Sequence, residues 1–162
     1  VYDVSYSGTD ASEQRIASNP GSSSYYLRWG EIIRGTDSTM FGKDLKRIEW
    51  PLRKVGAPTG PVTIVIRNAD DDTIAKTMGT FDASTVQTTT NYITVENTST
   101  THNLVINDRI MVEYDDGDSD NYLIGWMMNE QPNGAKVTRR ANTDSAGSYG
   151  DRDKEAAFRA YA

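Results

Sequence analysis

The sequence predicts an all-β fold, an antiparallel β-sandwich that we expect to be a jelly roll. Many short segments alternate apolar and polar residues, and clusters of Gly, Pro, Asn and Asp separate them. No segment keeps helical periodicity over three turns. The 162 residues suffice for one domain with a core, and the hydrophobic share of 36% fits two sheets with a large polar surface.

In the first seven residues, apolar and polar side chains alternate as they do in a β-strand. The side chains of this strand that would contact a neighbouring subunit are Val1, Tyr2, Val4 and Tyr6. Two roles are open for this strand. It is either the edge strand of its own sheet or an extension that pairs with a neighbouring subunit, because a polar joint containing Gly8 follows it. We therefore divide the chain into residues 1–12, the possible donor strand, and residues 13–162, a single sandwich domain.

The next elements lead to a central hairpin. Strands are predicted at 13–17 and 25–33, with a loop between them. Ile48, Trp50 and Leu52 then occupy alternate positions, a turn rich in Gly and Pro follows at 56–61, and alternation resumes at 62–66. Two amphipathic strands joined by a short polar turn predict a β-hairpin.

The second half repeats this pattern of short strands and polar turns. Strands are predicted at 73–78, 92–96, 110–114 and 122–128, the last two paired across the turn 115–121. Asp82 is placed to cap a single helical turn. A break at 129–134, a short strand at Val137, a loop at 141–153 and a closing strand at 157–162 complete the chain.

Charge and composition exclude several classes of function. The net charge of -6 argues against a nucleic-acid partner, since no basic surface would neutralise phosphates. No apolar run is long enough to span a bilayer. The chain has no cysteine, which rules out thiol chemistry and Cys-based metal sites.

The sharpest chemical feature is the acidic turn that contains Asp115, Asp116, Asp118 and Asp120. Calcium prefers several hard oxygen ligands in irregular geometry, which such a loop supplies. The spacing does not match an EF-hand, which needs Gly at the sixth position and Glu at the twelfth. Two interpretations are open: a bound calcium ion, or a solvated hairpin turn. The acidic turn at 70–72 is the weaker candidate.

The sequence carries no recognisable catalytic set, and we expect a protein that is not an enzyme. His102 is the only histidine, no Gly-x-Ser-x-Gly motif is present, and a zinc site lacks ligands. We expect His102 at the surface. Paired carboxylates of a glycosidase remain a minor alternative.

Aromatic residues offer a second kind of site. Trp50 and Trp126 occupy alternating apolar positions and are predicted to lie in the core. Trp29 beside Tyr25 is the better candidate for exposed contacts with sugar rings. Asn97-Thr98-Ser99 matches the acceptor pattern for N-glycosylation, which fits a loop on a secreted protein.

Several stretches resemble a lectin-like or carbohydrate-binding-like jelly-roll module of secreted and cell-surface proteins, often archaeal ones. They are Leu-Arg-Lys-Val-Gly-Ala-Pro-Thr-Gly at 52–60, Gly-Thr-Phe-Asp-Ala-Ser-Thr at 79–85, Asn-Asp-Arg-Ile-Met-Val-Glu-Tyr at 107–114 and Asp-Gly-Asp-Ser-Asp-Asn-Tyr at 116–122. The resemblance covers residues 40–162. It implies an extracellular building block and carries no common catalytic signature.

Together these features favour an extracellular, cell-surface structural subunit that assembles with itself into a filament, tube or surface layer. Strand addition by the N-terminal strand would link subunits, and calcium at the acidic turn would stiffen or bridge them. The alternative is a carbohydrate-binding module whose partners are glycans. A viral fibre or capsid domain would share the fold.

Overall fold

A computed structural model describes residues 1–8, 10–129, 134–141, 144 and 148–162. Within these residues the chain is all-β, with two sheets and one turn of 3-10 helix. The predicted β-sandwich is confirmed at this level. The finer expectation of jelly-roll connectivity stays a prediction.

The strands are short, as the spacing of turn residues predicts. In chain order they are β1 Tyr2–Val4, β2 Ala11–Ile16, β3 Tyr25–Tyr26, β4 Arg28–Ile33, β5 Arg47–Val55, β6 Pro61–Arg67, β7 Ile74–Asp82, β8 Asn91–Glu96, β9 Arg109–Glu113, β10 Tyr122–Met128, β11 Ala135–Arg140, β12 Gly150–Arg152, β13 Glu155–Ala156 and β14 Phe158–Tyr161. The 3-10 turn Ala83–Thr85 lies between β7 and β8, and the Ser84 N–H donates to the Asp82 carboxylate at 2.8 Å, which confirms the predicted cap.

The two sheets differ in size. The eight-stranded sheet has the order β1-β14-β5-β10-β2-β3, with β8 paired to β5 and β13 paired to β10. The six-stranded sheet has the order β12-β11-β4-β9-β6-β7. All pairs are antiparallel except β2 and β3, which run parallel. The N-terminal strand β1 is thus an edge strand of its own chain.

The predicted central hairpin is wrong, because β5 lies in the eight-stranded sheet and β6 in the six-stranded sheet. Each strand keeps its predicted apolar face, but the connection crosses the sandwich instead of folding back. Gly56 and Gly60 make the bend with φ of 70° and 96°, values that favour glycine. A Cβ on Gly56 would lie 2.1 Å from the Asp120 carbonyl oxygen.

Other sequence-based boundaries also change. β9 and β10, predicted to pair across the acidic turn, lie in different sheets, whereas β6 and β7 form a hairpin. The division after residue 12 falls inside β2. β12 occupies part of the predicted loop 141–153. Residues 130–133, 142–143 and 145–147, in the predicted break and loop, lie outside the described residues.

Aromatic side chains fill the middle of the core. The rings of Trp50 and Phe158 stack with centroids 4.7 Å apart, and Trp29 meets Trp50 edge to face at 5.8 Å. Gly125 makes room for Trp29, since a Cβ there would lie 2.7 Å from its ring. These contacts join both sheets and provide the surface against which β1 docks.

Candidate functional site: the N-terminal strand and its acceptor groove

The N-terminal strand docks by alternating its side chains. Tyr2 and Val4 are buried, whereas Asp3 between them is exposed, as the period of a strand requires. Tyr2, Asp3 and Val4 lie opposite Ala160, Arg159 and Phe158 of β14, respectively. The site is therefore an edge strand laid on a groove, and we define the acceptor groove by Glu31, Ala156, Phe158 and Ala160.

Tyr2 is the main anchor of this strand. Its ring packs on Phe158 with centroids 5.1 Å apart, next to the stack that Phe158 forms with Trp50. Its hydroxyl donates to Glu31 Oε1 at 3.3 Å. The side chain thus combines apolar contact area with one polar contact at its tip, which is how a buried tyrosine is usually satisfied.

Glu31 is a fully buried carboxyl group in the centre of β4. The Ala156 N–H donates to its Oε2 at 2.8 Å, and the second oxygen accepts from Tyr2. Burial raises the pKa of Glu31 well above its ordinary value, and nearby Glu155 raises it further, whereas the hydrogen bonds from the Ala156 N–H and the Tyr2 hydroxyl lower it. The groove therefore favours a protonated acid.

The pKa of the Tyr2 hydroxyl is also raised above its ordinary value. Burial is the largest cause, followed by the charges of Glu31 and Glu155. The two carboxyl groups therefore disfavour ionisation of Tyr2, whereas the hydrogen bond from Tyr2 lowers the pKa of Glu31. A neutral pair is much less costly to bury than a charged one.

The other residues of the N-terminal segment are less buried than Tyr2 and Val4. Arg159 Nε donates to Asp3 Oδ1 at 3.1 Å, an ion pair open to solvent. The Tyr6 ring packs against Trp126 at 4.5 Å, and the Tyr6 N–H donates to the Tyr92 hydroxyl at 3.3 Å. Val1 is 83% exposed. Of the four predicted assembly residues, Tyr2 and Val4 are buried, Tyr6 is half-buried and Val1 is free of the core.

A cavity of about 190 Å³ opens beside β1, at the edge of the eight-stranded sheet. Its lining residues come from both chain ends and from the segment before β5: Val1, Tyr2, Thr39, Met40, Lys43, Leu45, Ala160 and Ala162. The docked strand thus leaves apolar space at its edge.

The acidic turn does not gather its carboxylates. Asp118 Oδ1 accepts from the N–H groups of Asp120 and Asn121, both at 2.8 Å, so Asp118 closes its own turn. The Asp120 hydrogen bond is the main reason why the pKa of Asp118 is lowered. Asp115, Asp116 and Asp120 are exposed.

Asp116 and Asp118 are the two acidic residues of this turn that line a cavity. The cavity measures about 320 Å³ and is polar, with Ala57, Pro58, Thr59, Gly60, Asp116, Gly117, Asp118 and Asn121 as its lining. No group of three or more His, Asp or Glu placed to hold a metal ion is found among the described residues. The calcium site at Asp115, Asp116, Asp118 and Asp120 stays a prediction.

The expected exposure of Trp29 is wrong. Trp29 has no exposed surface, because it packs against Trp50 across the sandwich. Tyr25 of β3 is 8% exposed and packs edge to face against Tyr122. Trp29 therefore has no surface to offer a sugar. The predicted burial of Trp50 and Trp126 is confirmed, at 0% and 7% exposure.

The glycosylation acceptor Asn97 is engaged in its own turn. Its Nδ2 donates to the Thr77 carbonyl at 2.7 Å, and its Oδ1 accepts from the N–H groups of Ser99 and Thr100. Attachment of a glycan to Nδ2 in the folded protein would need the bond to Thr77 to break.

His102 is not simply a surface residue. Its Nε2 lies 2.7 Å from Oδ2 of Asp108, which is completely buried and also accepts from the Val105 and Ala69 N–H groups. The pair ties three loop segments together. Its role in the described structure is to connect them.

Sequence reasoning missed Glu31, although a signal for it was present. Trp29, Glu31 and Ile33 occupy alternate positions of β4, so they share one face. An acid between two large apolar residues on that face indicates a buried carboxyl group. Its partners Tyr2 and Ala156 are remote in sequence and had no such signal.

No family model, curated protein or solved structure matches the chain. In the part of the chain that the structure describes, no helix is long and apolar enough to cross a membrane.

Proposed function

We propose that this chain is an extracellular, cell-surface structural subunit that assembles with copies of itself by exchanging the N-terminal strand. The observation that carries the proposal is the docking of β1. This strand lies at the end of the strand order, pairs only with β14 among the described strands, and places Tyr2 and Val4 in the core. The extracellular location rests on the composition and the resemblance given above.

Exchange would replace the strand of one subunit with the same strand of the next. Tyr2 and Val4 of the incoming copy would fill the same groove, and the main chain would pair with β14 as before. Residues Ser5, Ser7, Gly8 and Asp10 are exposed and form the connection that must extend. When each subunit gives its strand to one neighbour and receives a strand from another, the contact is head to tail and propagates into an open fibre if the rotation does not close.

A pair of single-cysteine variants tests this exchange, since the chain has no cysteine of its own. Asp3 and Arg159 lie directly opposite in the β1–β14 ladder. Opposite residues of antiparallel strands have Cα atoms about 4.5–5.5 Å apart, within reach of a disulfide. Asp3→Cys chains mixed with Arg159→Cys chains are expected to form a disulfide-linked pair of two different chains.

The readout is non-reducing electrophoresis of differently sized tagged chains under mild oxidation. The matched control mixes Arg159→Cys with Thr98→Cys, an exposed loop position remote from the ladder in sequence. Strand exchange predicts a strong mixed dimer in the test and only background in the control. Equal linkage in both mixtures would refute the exchange of β1.

Calcium bridging is the second part of the proposal. Asp116 and its polar cavity, with the exposed Asp115 and Asp120, would supply hard oxygen ligands near the subunit surface. We expect ordered fibres in calcium and their loss with a chelator, measured by negative-stain electron microscopy. Asp116→Asn should weaken the calcium effect, whereas Asp70→Asn should not. Fibres that persist in the presence of the chelator would show that assembly does not need calcium.

Carbohydrate binding is the second candidate function. Arginines contact the partly exposed rings of Tyr92, Tyr122 and Tyr161, with the guanidinium carbon 3.9 Å above the Tyr161 ring and 4.3 Å above the Tyr92 ring. Aromatic faces beside guanidinium groups suit sugar stacking and hydroxyl recognition. Glycan-array binding that is lost in Tyr161→Ala would favour this function over assembly.

A further inference from the structure

The position of Glu31 links the core to the N-terminal strand. Its cross-strand neighbours in the six-stranded sheet are Ile110 and Val137, both buried and apolar. Its polar partners come from the opposite side of the sandwich, the Tyr2 hydroxyl and the Ala156 N–H. Removing β1 would therefore take away one of two hydrogen-bond partners and open the carboxyl group to water.

We propose that the Glu31–Tyr2 hydrogen bond is a proton-linked latch that selects the register of the N-terminal strand. Burial beneath the docked strand favours the protonated form of Glu31, and undocking of the strand makes ionisation of Glu31 easier. The latch acts on a strand from the same chain or from a second copy. Its role between copies rests on the proposed strand exchange.

The alternating side chains of β1 favour a single register against the groove. A shift by two residues would place Val4 where Tyr2 lies, and no hydroxyl would reach Glu31. A shift by one residue would point Asp3 inward, towards a buried acid. Either slip leaves a buried polar group unpaired, which costs free energy that the correct register does not. Glu31 is thus a specificity-determining residue of the groove.

The groups that face Glu31 determine whether its ionisation favours or opposes docking of β1. Tyr2 from β1 and Glu155 from β13 are its titratable neighbours, and neither carries a positive charge. β9 and β11 contribute the apolar side chains Ile110 and Val137. The hydrogen bonds from the Ala156 N–H and the Tyr2 hydroxyl favour the ionised carboxylate, but burial outweighs both. Ionisation of Glu31 therefore opposes docking.

The consequence is a dependence on pH in one direction. The pKa of Glu31 is raised in the folded state, so its contribution to docking is fully present below the ordinary glutamate pKa. That contribution is lost as the pH rises through the raised pKa. Above it, each pH unit favours the undocked strand by up to about tenfold, the limit for one proton.

Hydrogen exchange of the full chain, dilute enough to be monomeric, measures this opening. Amide protection in Tyr2–Val4 and Phe158–Tyr161 is followed from acidic to alkaline pH and corrected for intrinsic exchange rates. In the wild type, protection should fall by up to about tenfold per pH unit on the alkaline side. Glu31→Gln keeps one of the two acceptor oxygens and cannot ionise. In this variant, the dependence of protection on pH should disappear.

Two further variants complete the test. Glu96→Gln removes an exposed carboxylate of β8 and should keep the wild-type slope. Tyr2→Phe keeps the ring and removes the hydroxyl, so it should lower β1 protection at every pH, including acidic pH. A Glu31→Gln slope equal to that of the wild type would overturn the proton linkage. Undiminished protection in Tyr2→Phe would overturn the latch.

These outcomes are independent of assembly. Exchange between copies is read by the mixed disulfide of positions 3 and 159, whereas the latch is read in the monomer. A latch without mixed disulfides would leave a proton-linked edge strand in a protein that does not exchange it. Mixed disulfides without the Glu31 slope would support exchange and refute the latch.

Discussion

Substitution of Asp44 by alanine is expected to lower the free energy of unfolding by about 3–5 kcal/mol, because it removes the charge partner of a buried ammonium group. The Lys76 side chain has no exposed surface, and its Nζ donates to Asp44 Oδ1 at 2.8 Å and to the Leu45 carbonyl at 2.6 Å. Without Asp44 the ammonium keeps one neutral acceptor. Urea denaturation of both proteins at neutral pH measures the difference.

Lys76→Met is the matched control, since it removes the buried charge together with its need for a partner. Asp44 would keep Lys46 and the His102 N–H. Replacement of a buried ion by a hydrophobic side chain of similar volume is often close to neutral, so we expect a change below about 1.5 kcal/mol. Equal losses in both variants would show that the ion pair itself, rather than an unpaired charge, controls stability.

The contribution of Asp44 to stability depends on pH in the opposite direction to the contribution of Glu31 to docking of β1. Burial raises the pKa of Asp44, but hydrogen bonds from Lys46, Lys76 and the His102 N–H outweigh it and lower the pKa far below its usual range. This contribution is present above the ordinary aspartate pKa and is lost only in strong acid. The difference in unfolding free energy between Asp44→Ala and the wild type should therefore decrease only in strong acid.

Deletion of residues 1–7 is expected to abolish assembly and to destabilise the remaining domain. The deletion removes Tyr2 and Val4 from the core and uncovers the acceptor groove. Burial of one such side chain contributes about 1.5–3 kcal/mol, so the domain should lose about 3–6 kcal/mol. Electron microscopy reports assembly, and circular dichroism with urea reports the fold.

The control for this deletion is Val1→Ser. Val1 is 83% exposed, so this change should leave assembly intact and stability within about 0.5 kcal/mol of the wild type. Intact fibres from the deleted chain would rule out strand addition by β1. Loss of assembly in Val1→Ser would show that the exposed residue, rather than the buried pair, makes the contact.

The local elements of this fold were predictable from periodicity. The alternation at 62–66, 92–96 and 122–128 corresponds to β6, β8 and β10, and Asp82 caps the single 3-10 turn. Such patterns depend on neighbours within a few residues, and the covalent chain specifies those neighbours directly.

The pairing of strands was not predictable in the same way. β5 and β6 look like a hairpin, yet they belong to different sheets. An amphipathic strand needs an apolar surface on one face, and either sheet of a sandwich provides one. The choice is made by packing across the whole domain, including the positive φ at Gly56 and Gly60.

The candidate site shows the same division. The N-terminal strand and its inward Tyr2 and Val4 follow from alternation within a few residues. The partner β14, the contact of Tyr2 with Glu31 and the burial of Trp29 depend on segments far apart in the chain. Sequence alone determined the β-strand elements, the polar surface and the amphipathic N-terminal strand. The tertiary structure decided the groove that receives this strand, because burial and desolvation arise only where distant segments pack together.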